Sequence, residues 1–260
     1  NQDNGGSVTI KAPEERTYNG SVKAAKVTAS DNWLGMAVDK ITISYKDAEG
    51  NLLSGAPTDA GTYWASITIG DATASVTYTI NGKEVTGPTI EVVDAGTYDG
   101  KAKTPSVTVK DGGTVIPSNE YSVSYENNTN AGTATVKITD VAGGNYIVNG
   151  SQTFEIDQAT ITVTPKAGQE KTYGTDDPKL KYNVSGAENN ETPAFSGALS
   201  RTDGTDVGEY KIIQGTLKLT DGDGFTATNY RLEFSNGVKF NIIPRPVTIT
   251  GVSAQDKIYD

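Results

Sequence analysis

The chain has 260 residues, a net charge of −10, and neither cysteine nor histidine, which removes disulfides, thiol nucleophiles, imidazole bases and the commonest zinc ligands together. The acidic balance and the lack of any Lys/Arg cluster argue against nucleic acid as a partner, since that needs a basic footprint. No apolar run approaches the roughly 18 residues of a transmembrane helix, so no membrane insertion is expected within this sequence, and Asn1 to Gly6 reads as a polar lead rather than a signal peptide.

Thr, Val, Ile and Tyr alternate in short runs bounded by Gly, Asn, Asp and Pro, with little helical periodicity, and an all-β protein is expected. Residues 1–7 read as a disordered or tag-like lead. A first domain is expected over 8–80, opening with Val8-Thr9-Ile10-Lys11, turning at Tyr18-Asn19-Gly20 and closing with two alternating strands. Placing Tyr63, Ala65, Ile67 and Ile69 inward turns Trp64, Ser66 and Thr68 outward, and the return strand then buries Val76, Tyr78 and Ile80.

Residues 81–88 form a Gly/Pro-containing linker to a second domain over 89–157, whose turn is Tyr98-Asp99-Gly100. There the alternation favours a hairpin with Asn149, Gly150 and Ser151 as its loop, which pairs Tyr146 with Phe154. A third domain over 158–243 closes the same way. With Ser235-Asn236-Gly237 as a loop, Phe234 faces Val238, Leu232 faces Phe240 and Tyr230 faces Ile242. Residues 244–260 read as the start of a truncated fourth repeat, because Val247-Thr248-Ile249-Thr250 and Lys257-Ile258-Tyr259-Asp260 resemble earlier openings.

The domains are copies of one pattern. Asp59-Ala60-Gly61-Thr62-Tyr63, Asn130-Ala131-Gly132-Thr133-Ala134 and Asp206-Val207-Gly208-Glu209-Tyr210 each open a strand near a domain's end. Their spacing is about eighty residues, too long for a stacked solenoid, so each copy should be a small domain with its own core. The short connection Asp157-Gln158-Ala159 and the prolines Pro244 and Pro246 restrict bending, which predicts an elongated array with 81–88 as its hinge.

The third domain carries an ordered series: Lys171-Thr172-Tyr173-Gly174, Gly197-Ala198-Leu199-Ser200-Arg201, Asp206 to Tyr210, Gln214-Gly215-Thr216-Leu217 and Asn229-Tyr230. It resembles the MBG repeat of bacterial surface proteins in its Tyr-Gly form. The second domain is similar to the related Tyr-Asp-Gly repeats through Tyr98-Asp99-Gly100, Tyr121 to Tyr125, Asn127 to Thr133 and Gly144-Asn145-Tyr146, and the first matches through Tyr18-Asn19-Gly20 and Asp59 to Tyr63. The resemblance implies tandem extracellular modules of adhesin-like proteins and carries over no catalytic residue. The Asp-x-Gly-x-Tyr corner, with Tyr63 and Tyr210, resembles the tyrosine corner of immunoglobulin-like sandwiches; β-grasp-like mixed sheets are the alternative.

Candidate chemistry is sparse. Asp176-Asp177 and Asp221-Gly222-Asp223-Gly224 offer oxygen ligands for calcium, yet the twelve-residue loop is missing and these are ordinary turn residues. A Lys166–Asn241 isopeptide cross-link is conceivable, but burying Phe240 and Ile242 turns Asn241 outward. No catalytic pair stands out among 32 acidic residues, so no enzyme, cofactor or metal site is expected. Trp33 and Trp64 are the candidate contacts for a host or cell-envelope glycan or protein. The expected function is a monomeric, non-catalytic structural and adhesive segment outside the cell, with a dedicated glycan- or protein-binding module as the alternative.

Overall fold

The computed structural model describes residues 7–29, 40–257 and 259. Trp33 lies outside the described residues. Among those described, the regular structure is β-strand with short 3-10 turns, and the fold is all-β. The chain divides into two compact units: residues 1–94, 105–126 and 134–154 form one, and 95–104, 127–133 and 155–260 form the other.

In the first unit, Val8–Lys11 pairs antiparallel with Lys26–Ala29, and a second sheet runs in the order Ser44–Lys46, Gly61–Ile69, Ala72–Ile80. The long hairpin has the register Tyr63↔Tyr78, Ala65↔Val76 and Ile67↔Ala74. Alternation sends Ala65, Ile67, Tyr78 and Ile80 into a core shared with Ile10, Ala25 and Tyr45, and leaves Trp64 on the outer face. The two buried phenols bind the segment that leads into the Lys26–Ala29 strand: Tyr78 donates to the carbonyl of Lys23 at 2.8 Å, and the Tyr45 oxygen accepts from Ala25 N–H at 3.1 Å. Burial therefore leaves neither hydroxyl without a partner.

Thr89–Val92, Val107–Asp111 and Thr114–Val115 form one further sheet of this unit, and Tyr121–Glu126, Gly132–Asp140 and Gly150–Ile156, which belong to it over 121–126, 134–140 and 150–154, form another. The short strand Tyr146–Ile147 pairs in parallel with Lys83–Glu84, in the register Tyr146↔Lys83. The hairpin expected from the sequence between Tyr146 and Phe154 is therefore not formed: Tyr146 and Phe154 lie in different sheets.

The second unit shows the same departure more fully. Tyr230–Phe234 pairs in parallel with Ala159–Pro165, from Ala159↔Tyr230 to Val163↔Phe234, and Ala159–Pro165 also pairs with Tyr182–Ser185. Lys239–Ile243 belongs to the facing sheet, between Gln169–Thr172 and Gly208–Ile213, with Ser200–Arg201 at its edge. Residues 235–238 thus carry the chain from one layer to the other, and the expected hairpin around Ser235-Asn236-Gly237 is corrected. Leu232 and Phe234, with Val163 of their own sheet, meet the core of Leu199, Ile212, Phe240 and Ile242. Alternation names the same inward residues for both arrangements, so period two alone does not distinguish a hairpin from a crossing between sheets.

Candidate functional site

In each compact unit an Asn-Tyr pair is seated against a Tyr-Asx-Gly turn and an Asx-Ala-Gly strand opening. In the first unit the seat is built by the linker backbone. Asn81 N–H donates to the carbonyl of Arg16 at 2.7 Å, and Tyr18 N–H donates to the carbonyl of Asn81 at 2.8 Å. This clasp places Lys83–Glu84 beside Tyr146–Ile147, where Lys83 N–H donates to Asn145 O at 2.8 Å and Val85 N–H to Ile147 O at 3.0 Å. Gly82 is required here, since a Cβ on it would stand 2.9 Å from the Gly144 carbonyl oxygen.

Asn145 uses both ends of its amide. Its Oδ1 accepts the Ala60 N–H at 2.7 Å, and its Nδ2 donates to Asp59 Oδ1 at 3.1 Å and to Glu120 Oε1 at 3.3 Å. Its own N–H donates to Glu120 Oε2 at 2.7 Å. The carboxylate of Glu120 is buried by this arrangement, but it is hydrogen-bonded on both oxygens. The adjacent Tyr146 ring meets Tyr18 edge to face, with centroids 5.4 Å apart.

The second unit repeats the plan. Asp157 N–H donates to Gly96 O at 3.0 Å and Tyr98 N–H to Asp157 O at 2.8 Å. Asn229, 1% exposed, accepts Ala131 N–H on Oδ1 at 2.9 Å and donates from Nδ2 to Asn130 Oδ1 at 3.2 Å. Tyr230 meets Tyr98 edge to face at 5.4 Å and stacks on Phe225 at 5.0 Å. Here the carboxylate takes hydroxyls: Tyr98 donates to Glu191 Oε1 at 2.5 Å and Tyr230 to Glu191 Oε2 at 3.1 Å.

Burial first, then the hydrogen bond to Glu191 and the charge of that carboxylate, push the Tyr98 phenol from an ordinary 10.0 up to about 12. A raised folded-state value means that the neutral phenol stabilises the fold below about pH 10, and that this contribution is lost as pH climbs toward 12. An alkaline titration followed by tyrosinate absorbance is expected to show a late step coupled to loss of structure in the second unit. Tyr98→Phe should shrink the late step by the share of one phenol and uncouple the remainder from the second unit, while Tyr78, which burial also pushes up, still titrates late in the first. A single tyrosinate transition near the ordinary value, unchanged by that substitution, would contradict the buried pair.

The predicted corner residues share one geometry. The Tyr63 hydroxyl donates to the Asp59 carbonyl at 3.0 Å and the Tyr210 hydroxyl to the Asp206 carbonyl at 2.8 Å, each reaching back four residues. Trp64 is 51% exposed on a face that includes Thr62, Thr68 and Thr77, with Lys46 directly across from it. Two of the four candidate calcium ligands are otherwise engaged: Asp177 takes Arg201 at 2.7 and 3.1 Å and Lys171 at 2.6 Å, and Asp221 accepts the Ala227 N–H at 2.9 Å. Asn241 sits between core-facing neighbours, is half-buried, and has Glu170 and Glu209 as its cross-strand partners.

Sequence reasoning found Tyr18, Tyr98, Asn145, Tyr146, Asn229 and Tyr230 as recurring letters and gave them no joint role. The usable signal was the recurrence of Asn-Tyr at the same place in two repeats, together with a short polar residue opening each strand it caps.

The profile of the family described as "MBG domain (YGX type)" matches residues 161–240, and that described as "MBG domain" matches residues 6–86. No curated protein sequence matches the chain. Among solved structures, an I-band fragment of titin is 11% identical, with 93% of this chain and 99% of that one covered and a TM-score of 0.29. The Escherichia coli adhesin FdeC is 13% identical over 91% of this chain and 96% of that one, also at 0.29. Three N-terminal domains of the bacteriophage RB49 highly immunogenic outer capsid protein are 14% identical over 93% and 100%, at 0.29.

Proposed function

From a chain that carries MBG domains in tandem, at residues 6–86 and 161–240, we propose a non-catalytic structural and adhesive stalk segment of a secreted or cell-surface bacterial protein. The observation that carries this reading is the twice-built Asn-Tyr seat. Buried amide, carboxylate and phenol groups, the side chains from which an active site would be assembled, are here hydrogen-bonded to backbone and to one another in a repeated mechanical joint. We place the repeat boundaries at 8–80, 89–157 and 158–243, with 81–88 as linker and 244–260 as the start of a further repeat.

Display outside the cell is tested with antibody raised against residues 1–260. Intact producing cells should stain, and brief protease treatment should remove the stain. Signal that emerges only after lysis would refute an extracellular role.

A binding module is the second reading, favoured by one observation: Trp64 stands half-exposed on a sheet face with Thr62, Thr68, Thr77 and Thr79, an aromatic platform beside hydroxyls of the kind that glycans use. Saturable binding on a glycan array or to host-surface extracts, abolished by Trp64→Ala or Trp33→Ala, would establish that reading. No saturable binding would leave the stalk function alone, and binding unaffected by both substitutions would exclude the tryptophans as its contacts.

A further inference from the structure

We propose that the surface formed by Tyr173 and the strand opening Asp206-Val207-Gly208 is a socket for the Asn-Tyr strand of a further repeat of this same kind. The argument is continuity with the two joints already described. Each joint has a backbone clasp on the turn tyrosine, a ring edge on that tyrosine, an amide cap on the strand opening, and a parallel strand beside the linker.

The clasp is present a third time. Tyr173 N–H donates to the Ile243 carbonyl at 2.9 Å, as Tyr18 does to Asn81 and Tyr98 to Asp157. The remaining parts lack their occupant. Tyr173 is 47% exposed where Tyr98 is 6%, and among the described residues no aromatic ring meets it as Tyr146 meets Tyr18. Val207, which stands where Ala60 and Ala131 receive the asparagine, is 51% exposed.

The linker makes the same point from the other side. Aligned on Phe154 and Phe240, Val247-Thr248-Ile249 occupies the place of Ile161-Thr162-Val163. Ile161 and Val163 are fully buried in a strand whose parallel partner, Tyr230–Phe234, begins at the asparagine-tyrosine pair. Val247 and Ile249 are 86% and 81% exposed and stand in no strand pairing. One segment, a strand opening with Asn-Tyr, would cover the ring, cap Val207 and pair with 247–249 together. Exposed apolar groups in such a pattern mark an interaction surface, and the two filled copies define its partner.

This inference rests on the reading of the chain as tandem repeats, but its test does not depend on where the protein is displayed. Residues 244–260 are replaced by a second copy of residues 158–260, so that the joint between residues 157 and 158 is reproduced after Ile243. The copy carries Tyr173→Phe, which leaves the original Tyr173 as the reporter. Both chains are nitrated with tetranitromethane, and the peptide containing Tyr173 is quantified by mass spectrometry. Nitration should slow on the order of tenfold in the extended chain, the ratio expected from the exposures of Tyr173 and Tyr98. Equal rates with a folded copy would overturn the socket. Failure of the copy to fold behind Ile243 would overturn it as well, because the identical segment folds behind residue 157. Either failure leaves surface display, tested by cell staining, untouched.

Discussion

Replacing Tyr230 by alanine is expected to lower the unfolding free energy of the second unit by about 3 to 5 kcal/mol, the range for truncating a large buried aromatic side chain. The ring is 3% exposed, stacks on Phe225, meets Tyr98 edge to face, and carries a hydroxyl that donates to Glu191 and accepts the Glu188 N–H at 3.1 Å. Its removal opens a cavity and strips one partner from a carboxylate that also holds Tyr98. Tyr230→Phe keeps both ring contacts and should cost about 1 kcal/mol, with the lost hydrogen bonds as the main term. Trp33 and Trp64 both precede residue 81 in the sequence and Trp64 lies in the first unit, so fluorescence is expected to follow that unit, while far-ultraviolet circular dichroism follows both. Denaturant curves from the two probes should separate in Tyr230→Ala, with only the dichroism shifted to lower denaturant. A loss no larger than that of the half-exposed Tyr173→Ala would contradict the packing described for this joint.

The second large effect concerns the corner tyrosines. Tyr210→Ala should cost about 3 kcal/mol, at the lower end of the aromatic range because the ring is only half-buried. The Arg201 guanidinium lies 4.8 Å from the Tyr210 ring centre and 5.5 Å from that of Phe240, and its remaining donors reach the carbonyls of Thr202 and Gly204 at 2.9 Å. The hydrogen bonds from Arg201, with Lys171 beyond them, hold the Asp177 carboxyl below its ordinary value against the opposing effect of burial. A depressed folded-state value means that this bracket stabilises the fold above the ordinary carboxylate range and loses its contribution as pH falls. Without the Tyr210 ring the guanidinium loses one face of its packing, so the substitution should weaken the bracket as well as the corner. Gly204 is part of the same fit, since a Cβ there would stand 2.0 Å from the Tyr210 ring. Tyr63→Ala should show a similar but smaller loss in the first unit, because its corner has the hydroxyl bond without the arginine. Equal, small shifts for Tyr63, Tyr210 and the Tyr173 control would refute the corner as a stabilising element.

The sequence by itself determined that this protein is all-β, that it is built of repeats, and which side chains face inward. Ala65, Ile67, Tyr78, Ile80, Phe240 and Ile242 are buried as their alternation requires, because a strand's two faces are set by local geometry that no distant contact alters. The tyrosine corners were legible for the same reason, since each hydroxyl reaches only four residues back. What the tertiary structure decided was which strands are neighbours. Tyr230–Phe234 lies beside a strand that begins at Ala159, across the length of a whole repeat, and Tyr146–Ile147 lies beside Lys83–Glu84. A period of two states which face is apolar and is silent on whether the next apolar face lies alongside it or across the core. The role of Asn145 and Asn229 was hidden for a related reason. An amide that caps a backbone N–H more than eighty residues away is recognised only when the fold has brought the two together.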